Sequence, residues 1–419
     1  RTVVDSAREP DGVLLTACGT RQAARCPPCA AVYRADAYQL LKAGLAGGKG
    51  VPESVATHPR LFVTLTAPSF GPVHSSRVRR GRVRHCHPAP AEARCPHGRP
   101  RRCGQRHLPS DPMPSMPICV DCYDYQRAVV WNALASALWK RTTIYLRRAI
   151  ARLAGLSAAQ AGRQVRPAYV KVAEYQARGA VHLHAIIRLD AAPLADDPDR
   201  VAPPPAGFTV ALLARAVQQA AAEAAVPCPL GGDPIRWGDQ LDLAPIHAGL
   251  GEGSAGQVAG YLAKYATKAT EGLGASLDAR IASLAELEQL ELPEHTRRLV
   301  RACWALGAQP STARLGLRRW AHMLGYGGHC TTKSRRYSVT FSALRAARRA
   351  WSARRRHGST VPLDQDGRLL PPAGMVAMAG WEYAGRGYTT LADGWLAASM
   401  ATDHHEARRL AREELSRVA

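Results

Sequence analysis

Tyr169-Val-Lys-Val-Ala-Glu174-Tyr175-Gln176, then Ala177-Arg178-Gly179, then Ala180-Val-His182-Leu-His184-Ala-Ile-Ile-Arg-Leu189 read together as two β-strands joined by a three-residue loop. The flanks are rich in β-branched and apolar residues, and Gly179 supplies the left-handed backbone that such a loop needs. Residues two apart on a strand project from one face, so His182 and His184 leave the sheet side by side. With a three-residue loop Glu174 falls opposite His182, and cross-strand neighbours on one face lie about 5 Å apart. A Glu/His/His set open on one side is suited to hold one metal ion while leaving room for a substrate. A two-residue loop would turn Glu174 away. The bland alternative is a structural hairpin with two satisfied histidines.

A second signal lies downstream in Tyr261-Leu-Ala-Lys264-Tyr265, where two phenols four residues apart share one face if the segment is helical. Neither pattern decides alone, since in a chain with 15 His about half a His-x-His is expected by composition. Metal plus paired tyrosines points to chemistry on a phosphodiester. A phenol with a pKa near 10 is a poor nucleophile at neutral pH, and a phosphodiester repels anions. A divalent ion on His182, His184 and Glu174 would lower both obstacles; the carboxylate suits Mg²⁺ or Mn²⁺, and the imidazoles lean toward Mn²⁺.

The Phe62-Val-Thr64-Leu-Thr66 strand, His-hydrophobic-His and Tyr261-x-x-Lys264-Tyr265 occur in the order of the three motifs of HUH endonucleases, the initiators of rolling-circle replication. Longer stretches carry a closer likeness: Thr64-Leu-Thr-Ala-Pro-Ser-Phe-Gly-Pro-Val-His74, Cys119-Val-Asp-Cys-Tyr-Asp-Tyr125, Gly260-Tyr-Leu-Ala-Lys-Tyr-Ala-Thr-Lys268 and Lys333-Ser-Arg-Arg-Tyr-Ser338. In these the chain resembles actinobacterial replication initiator proteins of the RepSA type, which plasmids and autonomously replicating integrative elements carry. The resemblance spans most of residues 13 to 400 and is weakest near 275 to 300 and at the C-terminal end. It implies an α+β fold with an HUH-type antiparallel sheet and flanking helices, to which the residues themselves add Cys-rich zinc-binding N-terminal and inserted segments and a basic helical C-terminal region.

The activity so implied is metal-dependent, strand-specific nicking at a replication origin. Tyr261 or Tyr265 attacks, leaving a 5′-phosphotyrosine and a 3′-OH for a polymerase, and the strand is later transferred and rejoined. Lys264 and Lys268, two of only seven lysines, would steady the scissile phosphate. Tyr261 is favoured for initiation, because its Tyr-x-x-Lys spacing with Lys264 also occurs in family members with one tyrosine. Origin DNA, single-stranded at the nick, is the expected partner, with a host helicase and DNA polymerase. Two rivals stay open: a relaxase or transposase of the same superfamily, and a non-catalytic zinc DNA-binding protein. Relaxases usually carry the tyrosine before the histidine motif, which is the reverse of the order here.

Composition agrees. A net charge of +23 implies a polyanionic partner whose phosphates supply most of the affinity. No run of 18 or more apolar residues and no signal-peptide core occurs, so a cytoplasmic protein that does not enter membranes is expected. Arginine outnumbers lysine 49 to 7 in an alanine-rich chain, as a GC-rich genome would give.

Eight of the 11 cysteines fall before residue 123. Cys26-Pro-Pro-Cys29 and Cys119-Val-Asp-Cys122 are CxxC knuckles, and Cys18, Cys86, Cys95 and Cys103 lie near them. The reading is structural Zn²⁺ on thiolates. Eight thiolates would fill two four-cysteine sites, with His85, His87, His97 and His107 as substitutes, so the partition is open. The chain begins at Arg1 rather than Met, as a truncated N-terminus would, and a further ligand is possible upstream. Disulfides are the alternative, less suited to a reducing compartment. Cys228, Cys303 and Cys330 read as core thiols.

The length predicts more than one domain. Residues 1–57 would form a Cys knuckle and helix, 58–76 the first catalytic strand, 77–124 a zinc-stapled insertion, 125–275 the catalytic domain and 276–419 a basic DNA-binding region. Within these, Tyr125 to Leu156 and Phe208 to Ala225 read as helices, Ile235 to Ile246 as a strand, and Val258 to Thr270 as the tyrosine helix. Gly249 to Gly256 is a glycine-rich turn without a P-loop pattern. Leu277 to Leu306 is expected to be helical and interrupted at Pro293. Arg318, Arg319, Lys333, Arg335 and Arg336 belong to a candidate duplex-binding surface within Arg314 to Arg356, its alternative being a solvated helix face. A last helix is expected from Thr390.

Overall fold

The computed structural model describes residues 16–23, 26–79, 82–87, 89–90, 92–108, 111, 113–247, 253–267, 277, 280–370, 380, 382–383, 385, 387–388, 390–396, 398–400 and 403. Along the chain run α1 (Pro27–Ala46), β1 (Arg60–Leu65), the short strands β2 (Arg77–Arg79) and β3 (Arg82–Arg84), α2 (Tyr125–Leu153), α3 (Ala158–Gln164), β4 (Val165–Tyr175) and β5 (Val181–Ala191). There follow α4 (Val210–Glu223), β6 (Leu241–Pro245), α5 (Ala255–Ala266), α6 (Leu284–Gln289), α7 (Glu294–Leu306), β7 (Thr331–Lys333) and α8 (Phe341–His357). Five strands make one sheet in the order β6-β1-β5-β4-β7, each neighbour antiparallel to the next. β2 and β3 pair with each other.

The sheet is covered on both faces, which is why its central strands are buried at nearly every position. Leu61, Val63 and Leu65 of β1 and Leu183, Ala185, Ile187 and Leu189 of β5 face a core shared with α2, α4 and α7. The alternate positions, with Ala168, Val170, Val172 and Ile186, face a second core closed by α1 and α5, to which Tyr337 and Leu344 contribute. His182 and His184 fall on this second face, in phase with Ile186.

The hairpin tip is tied to α2 and to the end of β1 by hydrogen bonds. Tyr175 pairs with Val181, the Gln176 N–H donates to the Ala180 carbonyl, and Gly179 takes φ +76°. A side chain at Gly179 would run into Leu299. Asn132, fully buried on α2, donates to the carbonyls of Gly179 (2.8 Å) and Leu324 (2.9 Å) and accepts from the Val181 N–H. The Arg178 guanidinium donates to the carbonyls of Ala67 and Pro68, tying the tip to the end of β1.

Several elements depart from the sequence expectation. The strand read over Ile235 to Ile246 covers only Leu241–Pro245. Upstream of it, Gly238 lies against the Ala67 carbonyl, and Trp237 donates to Thr142 Oγ1 (2.8 Å) instead of joining the ladder. The Arg-rich C-terminal region contributes β7 to the sheet edge, pairing Val170 with Lys333. The helical stretch before Leu306 is interrupted at Pro293 as expected, Pro293 being the N-cap of α7, but its first helix, α6, begins at Leu284 rather than Leu277. Residues 391–396 are helical, one residue after the expected start. Part of the glycine-rich turn, residues 249–252, and Lys268 with the end of the expected tyrosine helix lie outside the described residues. No helix among the described residues is long and apolar enough to cross a membrane.

Candidate active site and metal-ligand clusters

The ladder that forms the hairpin also builds the site. Glu174 pairs with His182, and Val172 with His184, so Glu174 and the two histidines lie on one face. His184 Nε2 and Glu174 Oε2 are 3.3 Å apart, and the two imidazole centroids are 4.6 Å apart. On the other side β1 pairs Thr64 with His184. Thr64 Oγ1 is hydrogen-bonded to His184 Nδ1 at 3.2 Å, and Thr66 Oγ1 to His182 Nδ1 at 3.5 Å. Each imidazole is thus tethered through Nδ1, which at His184 leaves Nε2 for the carboxylate. Phe62, in phase with Thr64, stacks on His184 at 5.6 Å. The sequence signal for the two tethers is the Thr-x-Thr spacing of Thr64, in β1, and Thr66, just past its end.

α5 brings the tyrosines. Its start is fixed by Ser254, whose Oγ accepts from the Gln257 N–H while the Gln257 side chain accepts from the Gly253 N–H. Leu262, Ala263 and Ala266 pack on the sheet, and one turn apart on the adjoining stripe stand Tyr261 and Tyr265. Their ring centroids are 4.6 Å apart, and they lie 5.6 and 5.4 Å from the His184 ring. Tyr261 is 44% exposed, whereas Tyr265 is half-buried. Lys264 is exposed on the next stripe.

Burial, with His184 and Arg178 nearby, pushes the His182 imidazole down to about 3, so it is neutral and keeps its lone pair at physiological pH. Burial raises the Tyr265 phenol well above its ordinary value, and its hydrogen bond with Tyr261 and the Glu174 carboxylate add to the rise. In donor chemistry two imidazole nitrogens and one carboxylate oxygen fit a hard-to-borderline divalent cation. His182, His184 and Glu174 are not, however, among the groups whose donor atoms all lie within 4.8 Å of one another.

Three groups do converge that closely among the described residues: His74, Cys86, Cys103 and His107; Cys95, His97, Cys119 and Cys122; and Cys18, Cys26 and Cys29. All eight cysteines singled out in the sequence appear in these groups. His97 and His107 join them, while His85, exposed and hydrogen-bonded to the Gly104 carbonyl, does not. His74 had no cysteine-like spacing to announce it. Cys303 and Cys330 are buried away from any group and Cys228 is half-buried.

The basic residues are dispersed. Arg318 stacks over Trp304 and Arg319 over Trp320, both arginines exposed. Lys333 is half-buried and donates to the carbonyls of Ser334 and Arg335, and burial lowers its pKa. Arg335 is exposed, and Arg336 pairs with Asp199 at 3.1 Å. On α8, Arg348 is spent on Asp36 of α1, while Arg354, Arg355 and Arg356 are exposed.

No solved structure matches the chain. The family model described as "Replication initiator protein, pSAM2" matches residues 1–402. A replication initiator protein of Streptomyces ambofaciens is 44% identical, the match covering 97% of this chain and 84% of that protein. A match of this extent leaves one assignment, and the chain belongs to the RepSA family of replication initiator proteins.

Proposed function

We propose that this chain initiates rolling-circle replication by nicking one strand of its origin, with a tyrosine of α5 as nucleophile. One observation carries the reading: the rings of Tyr261 and Tyr265 both lie against His184, whose Nε2 faces Glu174. Two phenols packed on a His/His/Glu face is an arrangement a purely structural hairpin does not need. In this HUH-type reading the phenolic oxygen gives up its proton as it attacks phosphorus, the P–O3′ bond breaks, and the departing 3′ oxygen takes up a proton, so that none is gained or lost overall. The tyrosine is left esterified to the 5′ phosphate, so the energy of the phosphodiester is kept for rejoining.

A Mg²⁺ or Mn²⁺ ion on His182, His184 and Glu174 would neutralise charge on the scissile phosphate. The remaining work falls to side chains. Tyr261, the more exposed phenol, meets the incoming phosphate first. Tyr265, half-buried and with its phenol pushed above its ordinary pKa by burial, waits one helical turn away for the second cleavage. Lys264 offers a cation beside them, and Thr64 and Thr66 fix the imidazole orientations. The net charge of +23 favours the DNA backbone, and the strand is single at the nick, where the phosphate is accessible. The freed 3′-OH is the primer a host polymerase extends behind a host helicase, in the cytoplasm of a cell carrying a plasmid or integrative element.

The test is incubation with a supercoiled plasmid bearing the element's origin and Mn²⁺ or Mg²⁺. Nicked product with protein on the 5′ end, and an adduct peptide containing Tyr261 or Tyr265, is expected. Binding without nicking, or an adduct on Tyr169 or the fully buried Tyr337, overturns the reading.

A further inference from the structure

The ligand groups between residues 74 and 122 alternate in pairs. His74 and Cys86 belong to the first group, Cys95 and His97 to the second, Cys103 and His107 to the first again, and Cys119 and Cys122 to the second. The chain therefore crosses between the groups three times. Short ladders hold the crossings: Cys86 donates to the Gln105 carbonyl, His87 and Cys103 exchange two backbone bonds, and Cys95 pairs with Arg99.

Donor spacing tests whether an ion fits. With Zn–S of about 2.3 Å and Zn–N of about 2.0 Å, a tetrahedron has edges of roughly 3.8 Å (S···S), 3.5 Å (S···N) and 3.3 Å (N···N). The observed Cys95–Cys119 separation is 3.7 Å and His74–His107 is 3.2 Å. The mixed pairs Cys86–His74, Cys103–His107 and Cys122–His97 are 3.6, 3.4 and 3.3 Å. Each matches the edge expected for its atom types to within about 0.2 Å. The Ser75 N–H also donates to Cys86 Sγ at 3.1 Å, as it would to a metal-bound thiolate. Cys86, Cys103 and His107 of the first group and Cys95 and Cys119 of the second are buried, where four unligated donors packed this closely would have no reason to converge.

We propose that residues 74–122 bind two Zn²⁺ ions in interleaved sites, a Cys₂His₂ site (His74, Cys86, Cys103, His107) and a Cys₃His site (Cys95, His97, Cys119, Cys122). Because each site's second half lies beyond the other's first half, neither closes an independent loop. Loading one ion fixes the crossings that bring the other set together, so the two ions are gained and lost jointly. A sequential partition, with the first four ligands in one site and the last four in the other, would give two independent modules.

The experiment uses the full chain with Cys26→Ser and Cys29→Ser, which removes the third group, purified under reducing conditions. Native mass spectrometry should find two zinc equivalents. Stepwise chelation followed by thiol alkylation should expose Cys86, Cys95, Cys103, Cys119 and Cys122 together. His74→Ala should release its own ion and loosen the second, while His85→Ala should keep both. The same alkylation on the unsubstituted chain guards against a variant that fails to fold. Fewer than two ions, disulfides among these cysteines, His74→Ala retaining both ions, or release of the thiols in two separate steps overturns the proposal.

Discussion

The His182/His184/Glu174 face and the Cys/His groups of residues 74–122 are two ligand sets built by opposite means. The first is set by a β-ladder: eleven residue pairs run between β4 and β5, and the ligands take their positions from it. The second comes from loops joined by isolated bridges and short turns, in a segment with little apolar core of its own. A ladder keeps its register whether or not an ion is present. Loops of this kind take much of their folding free energy from the ligated metal. Loss of the ion should therefore silence the first region without unfolding it and unfold the second before it affects chemistry.

The largest effect expected is on cleavage. His182→Ala with His184→Ala should cut origin nicking by roughly 10³-fold or more, as loss of a principal charge-stabilising group does. Origin affinity should stay within a few-fold, since phosphate contacts elsewhere supply it. Urea unfolding of the sheet should shift by no more than about 3 kcal/mol, the upper end of what most single substitutions cost, because the eleven-pair ladder between β4 and β5 stays in place. Full nicking by the double variant would remove the site; wholesale unfolding would erase the contrast.

Cys119→Ser should give the mirror image. Hydrogen exchange across residues 74–122 should approach that of an unfolded segment, while the ladder between β4 and β5 stays protected. A smaller disturbance should reach the hairpin tip, because Tyr123, next after Cys122, donates to the Arg178 carbonyl at 2.8 Å and Arg298 pairs with Asp121 at 2.5 Å. Exchange unchanged in the loops would mean that they hold themselves without metal.

Between the tyrosines the contrast narrows to one helical turn. Tyr261→Phe should block the first nick, Tyr265→Phe should permit nicking but impair release of closed circles, and the double variant should form no covalent adduct. Equal loss of the first nick in both single variants, read by gel assay of linear and circular products, would show that the labour is not divided by exposure.

What the sequence made legible follows the same division. The Glu174–His182 register was readable because period-2 alternation and Gly179 leave one loop length that keeps both on one face. The tyrosine face was readable from a four-residue spacing within a helix expected from Val258, although the Ser254 cap that starts the helix at Ala255 was not. β7 was not, since Thr-Thr-Lys has no periodicity and is a strand only because it meets the edge of β4. The pairing of the Cys/His ligands was equally hidden: eight donors in one stretch permit many partitions, and His74 lies twelve positions before its nearest partner, Cys86. Local pattern reports on ladders and helix faces; closure of loops by side chains distant in sequence leaves no local trace.

The smallest predicted effect probes how the ladder tunes the site rather than how it builds it. Thr64 is opposite His184 on β1, and its hydroxyl, 3.2 Å from Nδ1, fixes the ring so that Nε2 faces Glu174. Thr64→Val keeps shape and β-propensity and removes only that hydroxyl, so the sheet should remain while the imidazole gains freedom to turn. Outer hydrogen bonds of this kind are worth roughly 10- to 100-fold in metal affinity or activity. The Mn²⁺ concentration for half-maximal nicking should therefore rise by about tenfold, with the rate at saturating metal changed less. Thr66→Val, removing the longer 3.5 Å contact to His182, should do less. Thr64→Ser, which restores the hydroxyl, should recover most of the loss. If Thr64→Val lowered the saturated rate and left the metal requirement alone, or if Ser failed to rescue, the threonine would be packing Phe62 and β1 rather than orienting a ligand.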